Sequence, residues 1–244
     1  MKRIQLIGVA GLPEVRPGDD LGELISAHST LQPGDVVVVA QKIVSKSEGR
    51  MVRLEDVKAG EEAIRIAAHL IASPDPRMVQ VVLDESVRVL RSERVLITET
   101  RQGYVCANAG VDHSNTGVGV LTLLPTDPDA SASRLRARLR QLAGVKVGVI
   151  VSDTFGRPWR LGIVNVALGV AGLPAAIDLR GTPDDVGRPL QATVLAVADD
   201  IAASAGLVMG KTRRTSAVIV RGLGLEGAGV GRDLIRPPAE DVFR

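Results

Sequence analysis

The stretch VKVGVIVSDTFGRPWRLGIVNVALGVAG, residues 145–172, decides how this chain reads. Residues 147–151 form an apolar run that is predicted to be a buried strand. The run ends in Ser152-Asp153-Thr154, where the strand is expected to stop, and Arg157 and Arg160 follow within a Gly-Arg-Pro-Trp-Arg segment. A carboxylate and two hydroxyls at a strand end, with guanidinium groups a few residues on, bring oxygen ligands and positive charge together. Those are the groups that hold a metal-bound polyphosphate.

Working outward, residues 4–9 read as a strand and residues 19–28 as a helix, with Leu21, Leu24 and Ile25 at helical spacing and Asp19 or Asp20 as N-cap. A Gln-Pro-Gly-Asp turn at 32–35 leads into the all-apolar run 36–40, a second buried strand. Residues 41–50 are polar and carry two lysines. The spacing of Ile64, Ala67, Ala68 and Ile71 predicts a helix over 61–72, and residues 79–83, 94–98 and 118–124 read as strands. Residues 110–115 are a loop by composition. Leu135, Leu139 and Leu142 put an apolar stripe on a helix whose arginines at 134, 136, 138 and 140 mostly face water. A loop over 178–187, a helix over 191–205 with Val194, Val197, Ala198 and Ile201 inward, and a strand over 217–220 complete the chain before a glycine-rich tail. Strands and helices mix without the alternation of a doubly wound sheet, so the expected class is α+β.

The 244 residues suffice for a substantial core, which must be built from Val, Ile, Leu and Ala because aromatics are only 2%. A net charge of +2 gives no reason to expect nucleic acid as a partner. One cysteine, Cys106, excludes an intrachain disulfide. Gly8, Gly11 and Pro13 interrupt the apolar N-terminus, and no run approaches the roughly 20 residues of a spanning helix. No membrane partner and a cytoplasmic location are expected.

Two glycine motifs do not survive inspection. Gly206 to Lys211 resembles a phosphate-binding P-loop but has three residues between its glycines where that motif needs four, and a helix precedes it where a strand should. Lys211, Arg213 and Arg214 nonetheless leave a basic loop available for phosphate. Gly222-x-Gly224-x-x-Gly227 follows a strand, but the sequence beyond it is a poor helix and carries no acid about 20 residues on.

Asp112 and Asp153 each sit just past an apolar stretch, beside Ser114 and Asn115 in one case and Ser152 and Thr154 in the other. Magnesium and manganese take such ligands, with one or two carboxylates plus substrate phosphates. The isolated histidines 28, 69 and 113 and the lone cysteine argue against a zinc site.

Six segments together resemble the coenzyme F420-0:L-glutamate ligases: GLPEVRPGDDL at 11–21, VVVVAQKIVSKSEGR at 36–50, DESVRVLR at 84–91, CANAGVDHSN at 106–115, GVIVSDTFGRPWRLGIVNVALGVAG at 148–172 and ADDIAASAGLVMGK at 198–211. The resemblance implies a GTP-dependent amide ligase that joins L-glutamate to the lactyl carboxylate of F420-0 and then adds γ-linked glutamates. It also implies a single α+β ligase unit of two lobes working as an intertwined homodimer. Asp112, Asp153 and Thr154 match its divalent-metal positions, for two ions of Mg2+ or Mn2+, with a monovalent cation such as K+ as a further candidate. Leu12, Pro13, Glu14, Val15, Gln41, Ser45, Lys46, Asn115, Leu207, Met209, Gly210 and Lys211 match nucleotide positions. Residues 51–83 depart from the family pattern, and the nitroreductase-like domain fused to some members has no counterpart here.

The chemistry expected is phosphorylation of the acceptor carboxylate by GTP, with the metals between the phosphates and Lys46, Arg157, Arg160 and Lys211 on the remaining oxygens. The amine of glutamate then attacks the acyl phosphate. The rival expectations are a γ-glutamyl ligase for another acceptor, such as a folate, and a nucleotide-binding regulator without turnover.

Overall fold

The structure, a computed structural model, describes residues 3–114 and 116–241. Its centre is a five-stranded mixed sheet made of β1 (Gln5–Gly8), β2 (Val36–Ala40), β8 (Gly148–Arg157), β9 (Arg160–Ala171) and β12 (Ala217–Arg221), in the order β1-β12-β2-β8-β9. β2 and β8 run parallel, in register from Val36↔Gly148 to Ala40↔Ser152; the other neighbours are antiparallel.

The Val-Val-Val-Val run of β2 is buried on both sides because helices cover both faces of the sheet. Val37, Val39, Val149 and Val151 face α1 (Leu21–Ala27), α2 (Gln41–Ser47) and α5 (Pro128–Ala143), whereas Val36, Val38 and Ile150 face α6 (Val197–Met209). Helix ends follow their local chemistry. Asp20 caps α1 by accepting from Glu23 N, Asp127 caps α5 by accepting from Ala130 N, and Gly144 closes α5 in the left-handed conformation at φ 70°. Arg138 of α5 pairs with Asp20 and Glu23 of α1 and so does not simply face water.

Between β2 and β8 the chain builds a second apolar cluster from α3 (Glu61–His69), α4 (Pro76–Asp84), β3 (Met51–Arg53), paired with β7 (Val120–Thr122), and β4 (Ser86–Arg91), β5 (Ile97–Thr100) and β6 (Val105–Ala107), which form one sheet. Here the sequence reading needs correction. Residues 79–83 are helix, not strand: Asp75 caps α4 and Pro76 occupies its first turn, a start signal that outweighs the Val-rich run. In α3 the buried face is Ala63, Ile66 and Ala67, followed by Leu70, while Ile64 and Ile71 are exposed. Leu142 is partly exposed, and Val194 lies outside α6 in β11 (Val194–Leu195), which pairs with β10 (Ile177–Asp178).

The largest correction concerns the central stretch. The strand does not stop at Ser152 but continues through Asp153 and Thr154 to Arg157, then returns as β9 in a long hairpin. Its register slips where Val151 faces Gly169 and Ser152 faces Ala167, so Leu168 is an extra residue on β9. The freed groups find partners: Tyr104 Oη donates to Leu168 O at 2.5 Å, and Ala167 N donates to Asp199 Oδ1 at 2.8 Å. The glycine-rich tail folds back on this point. Gly231 N donates to Asp129 Oδ1 at 2.5 Å, and a Cβ on Gly231 would lie 2.0 Å from Leu168 O.

Candidate active site

Because Ala40 and Ser152 are paired, residues 41–42 leave β2 at the level where 153–154 continue β8. Chain direction thus places α2 at the carboxyl end of β2, beside the acid-hydroxyl pair where β8 runs on past its neighbour. Asp112 arrives from the second cluster, held by reciprocal backbone hydrogen bonds with Thr122.

Lys42 joins these pieces. Its Nζ lies 2.7 Å from Asp112 Oδ2 and donates to Ser114 O at 2.7 Å and Ser114 Oγ at 2.6 Å. Ser114 N donates to Asp112 Oδ1 at 2.6 Å. Burial opposes ionisation of Asp112, but the hydrogen bonds from Lys42 and Ser114 outweigh it and hold the carboxyl below its ordinary range. Asp153 goes the other way. Burial pushes it up to about 6, against a hydrogen bond from Thr154 N and the charge of Lys211, while the Asp112 carboxylate repels it. Two carboxylates that sense each other are therefore set to different ionisation ranges.

Lys211, just past Gly210 at the end of α6, donates to Thr154 Oγ1 at 2.6 Å, and Thr154 Oγ1 donates to Asn165 Oδ1 at 3.2 Å across the hairpin. Asn165 in turn packs on Gly206 of α6, where a Cβ would approach it to 3.1 Å. On α2, Lys42 and Lys46 stand one turn apart; Lys46 is buried and pairs with Glu14, and Ser45 Oγ donates to Gln41 Oε1 at 2.8 Å.

Other expected residues are placed less centrally. Pro13 and Glu14 are exposed, Leu12 is half-buried and Val15 is in the core, so Val15 has only its backbone to offer a ligand. Leu207 is exposed, but Met209 points into the core, with Asn165 Nδ2 at 3.6 Å from its Sδ. Arg157 and Arg160 face each other across the hairpin turn, exposed, with Arg157 Nη2 donating to Leu161 O at 2.7 Å. Four residues of strand separate Arg157 from Asp153, roughly 13 Å along the backbone. Asn115 lies outside the described residues.

Lys42 and Asn165 were not singled out from sequence, whereas Ser114 was named beside Asp112. The signal for Lys42 was present, since a helix over 41–47 puts it on the face of Lys46; without a helix assigned there, the spacing had no meaning.

The donor set suits a hard cation: carboxylates of Asp112 and Asp153 and hydroxyls of Ser114 and Thr154, with no histidine or thiolate among them. Among the described residues no cluster of three His, Cys, Asp or Glu is found. Two ammonium groups already sit on these ligands, Lys42 on Asp112 and Lys211 on Thr154. No helix among the described residues is long and apolar enough to cross a membrane.

Fold and site together define a mixed-sheet α+β protein that concentrates two carboxylates and lysines where β2 ends beside β8. A family model described as F420-0:Gamma-glutamyl ligase matches residues 10–222, and the chain belongs to that family. A coenzyme F420:L-glutamate ligase of Methanopyrus kandleri is 47% identical over 238 residues, covering 95% of this chain and 94% of its own length. Relatives of the same name in Methanothermobacter thermautotrophicus and Archaeoglobus fulgidus are 45% and 46% identical, over 99% of this chain and 99% and 97% of theirs.

Proposed function

We propose that this chain is a GTP-dependent, cytoplasmic ligase that joins L-glutamate to the lactyl carboxylate of coenzyme F420-0 and then extends the product through γ-glutamyl links. The observation that carries the reading is the convergence of Asp112, Asp153 and Thr154 with Lys42 and Lys211, in a chain whose full-length relatives bear that ligase name.

A carboxylate and an amine do not condense in water, because the leaving group would be hydroxide. Transfer of the γ-phosphoryl group of GTP to the acceptor carboxylate releases GDP and forms an acyl phosphate. The glutamate amine attacks its carbonyl carbon, the C–O bond to phosphate breaks, and the amine proton passes to a carboxylate or to the departing phosphate. Asp112, Asp153 and Thr154 would hold Mg2+ or Mn2+, which would supply neutralisation of phosphate charge when bound. Lys42, Lys46 and Lys211 place ammonium groups around the same oxygens, and such preset donors lower the cost of charge that builds during transfer.

Arg157 and Arg160 stand at the far end of the hairpin from Asp153, and in a homodimer the hairpin of one copy would carry them to the phosphates in the site of the other. The exposed tip of that hairpin, with Trp159 82% and Leu161 97% accessible, supports such an assembly.

The test is mass spectrometry of a reaction containing F420-0, GTP, L-glutamate and Mn2+. Products heavier by one or more glutamyl units, with phosphate release that requires both F420-0 and glutamate, are expected. Phosphate release needing neither substrate would make the chain a nucleotidase, and nucleotide binding without release would make it a regulator.

A further inference from the structure

Beside the acid site lies a second cavity of about 780 Å³, within the range of small-molecule pockets. Met78, Val79 and Val82 of α4, with Leu96 and Leu121, make an aliphatic floor; Arg94, Asn108 and His113 stand among the polar groups lining it. The loop that holds Asp112 also lines the cavity through His113 and residues 116–119. A ligand lying on the floor therefore passes its polar end along one loop to Asp112.

The backbone around the cavity is held in costly conformations. Among the described residues six that are not glycine have positive φ; Arg94 at 66° and Asn108 at 52° line the cavity, while Ser73 at 42° and Ala109 at 51° adjoin lining residues. Such strain persists where the surroundings enforce it, and it gathers at ligand sites.

Resting on the function proposed above, we infer that this cavity takes the fused-ring deazaflavin head of the acceptor, so that its tail carboxylate is delivered to Asp112 and Asp153. Glutamate is too small and too charged for an aliphatic floor. The triphosphate of a nucleotide needs the cations gathered at the acid site. The remaining reactant has a flat, largely apolar head and a long polar tail, matching a floor of aliphatic side chains with a polar exit toward the acids.

The experiment uses the full chain and two variants that fill the cavity. Met78→Trp intrudes from α4. Gly117→Trp narrows the side formed by the loop, at a position where a Cβ meets only Val120 Cγ2, at 3.7 Å. Binding of F420-0 is followed by deazaflavin fluorescence, binding of Mn2+ and GTP by calorimetry, and folding by thermal melting. Both variants should melt cooperatively, weaken F420-0 at least tenfold and leave GTP within twofold of wild type. Wild-type F420-0 affinity in a folded Gly117→Trp or Met78→Trp protein overturns the inference while leaving the ligase reading intact. Loss of GTP binding with F420-0 binding unchanged also overturns it, by assigning the cavity to the guanine base. Failure of the wild-type chain to bind or use F420-0 overturns both readings.

Discussion

Asp153 is ionised at a cost. Its pKa lies at about 6 in the folded chain and near 3.8 when unfolded, so the folded state favours the protonated form. That contribution to stability is complete below about pH 4 and is lost as pH rises through 6, leaving a penalty on the order of 3 kcal/mol at neutral pH. Asp153→Asn should therefore melt higher than wild type at pH 7 in chelator and no higher at pH 4, while ligase turnover falls more than tenfold. Added Mn2+ should stabilise wild type and not the variant; equal shifts for both would remove Asp153 from the metal ligands. Lys42 makes the complementary case, because its ammonium occupies the oxygens a metal would use. Lys42→Met should bind Mn2+ more tightly than wild type in the absence of nucleotide, read by electron paramagnetic resonance, and a weaker affinity would mean that Lys42 orders the site without competing for it. Cys106 is buried and its thiol is pushed up to about 12 by burial and by the charge of Asp153. Ellman's reagent at pH 8 should leave it unmodified until the protein unfolds. The acids were legible in the sequence because a carboxylate beside a hydroxyl after an apolar run is a local pattern. The lysine lying against Asp112 was not, because that contact joins two residues, Lys42 and Asp112, from distant parts of the sequence.

At the scale of elements, the bulge at Leu168 sets where Asp153 stands. Its carbonyl accepts from the buried hydroxyl of Tyr104, while Asp199 takes the neighbouring Ala167 N–H. Tyr104→Phe should lower stability by about 1–3 kcal/mol, the cost of leaving a buried polar group without its partner, as measured by urea denaturation. It should also reduce turnover, since the pairing of Ser152 and Asp153 depends on this slip. A variant as stable as wild type would show that the hydroxyl does not secure the bulge. Buried strands such as β2 and β12 were legible because their apolar runs are short and bounded by turns or polar loops. The strand at the centre was misjudged at its end. Polar residues after an apolar run look like a loop, yet here they alternate along a hairpin whose second strand supplies the partners. In α4 the error ran the other way: an apolar run suggested a strand, although Asp75 and Pro76 announced a helix. Capping chemistry is local and decides between the two readings better than hydrophobicity over five residues does.

For the molecule as a whole, the α+β class was legible from the irregular order of strands and helices, but the sheet order was not. The parallel neighbours β2 and β8 are separated by more than a hundred residues that form the second cluster, and no periodicity carries information across that span. The same long connection brings Asp112 back to Lys42. What the chain leaves uncovered is the tip of the β8–β9 hairpin. Trp159, Leu161 and Ile163 are exposed there beside Arg157 and Arg160, on strands whose inner halves are buried in the sheet. Apolar side chains on a projecting hairpin lose contact with water only against another surface, and in the proposed homodimer that surface is a second copy. Leu161→Asp places a charge on this face without touching the core, so the monomer should keep its fold and melting behaviour. Light scattering should give the mass of a dimer for wild type and of a single 25.6 kDa chain for the variant. If the arginines act on the partner's phosphates, the monomeric variant also loses turnover, and mixing Asp153→Asn with Arg160→Ala restores part of it, because one of the two mixed sites then has both groups intact. A wild-type chain that scatters as a monomer while turning over would refute the dimer and release both arginines from the mechanism.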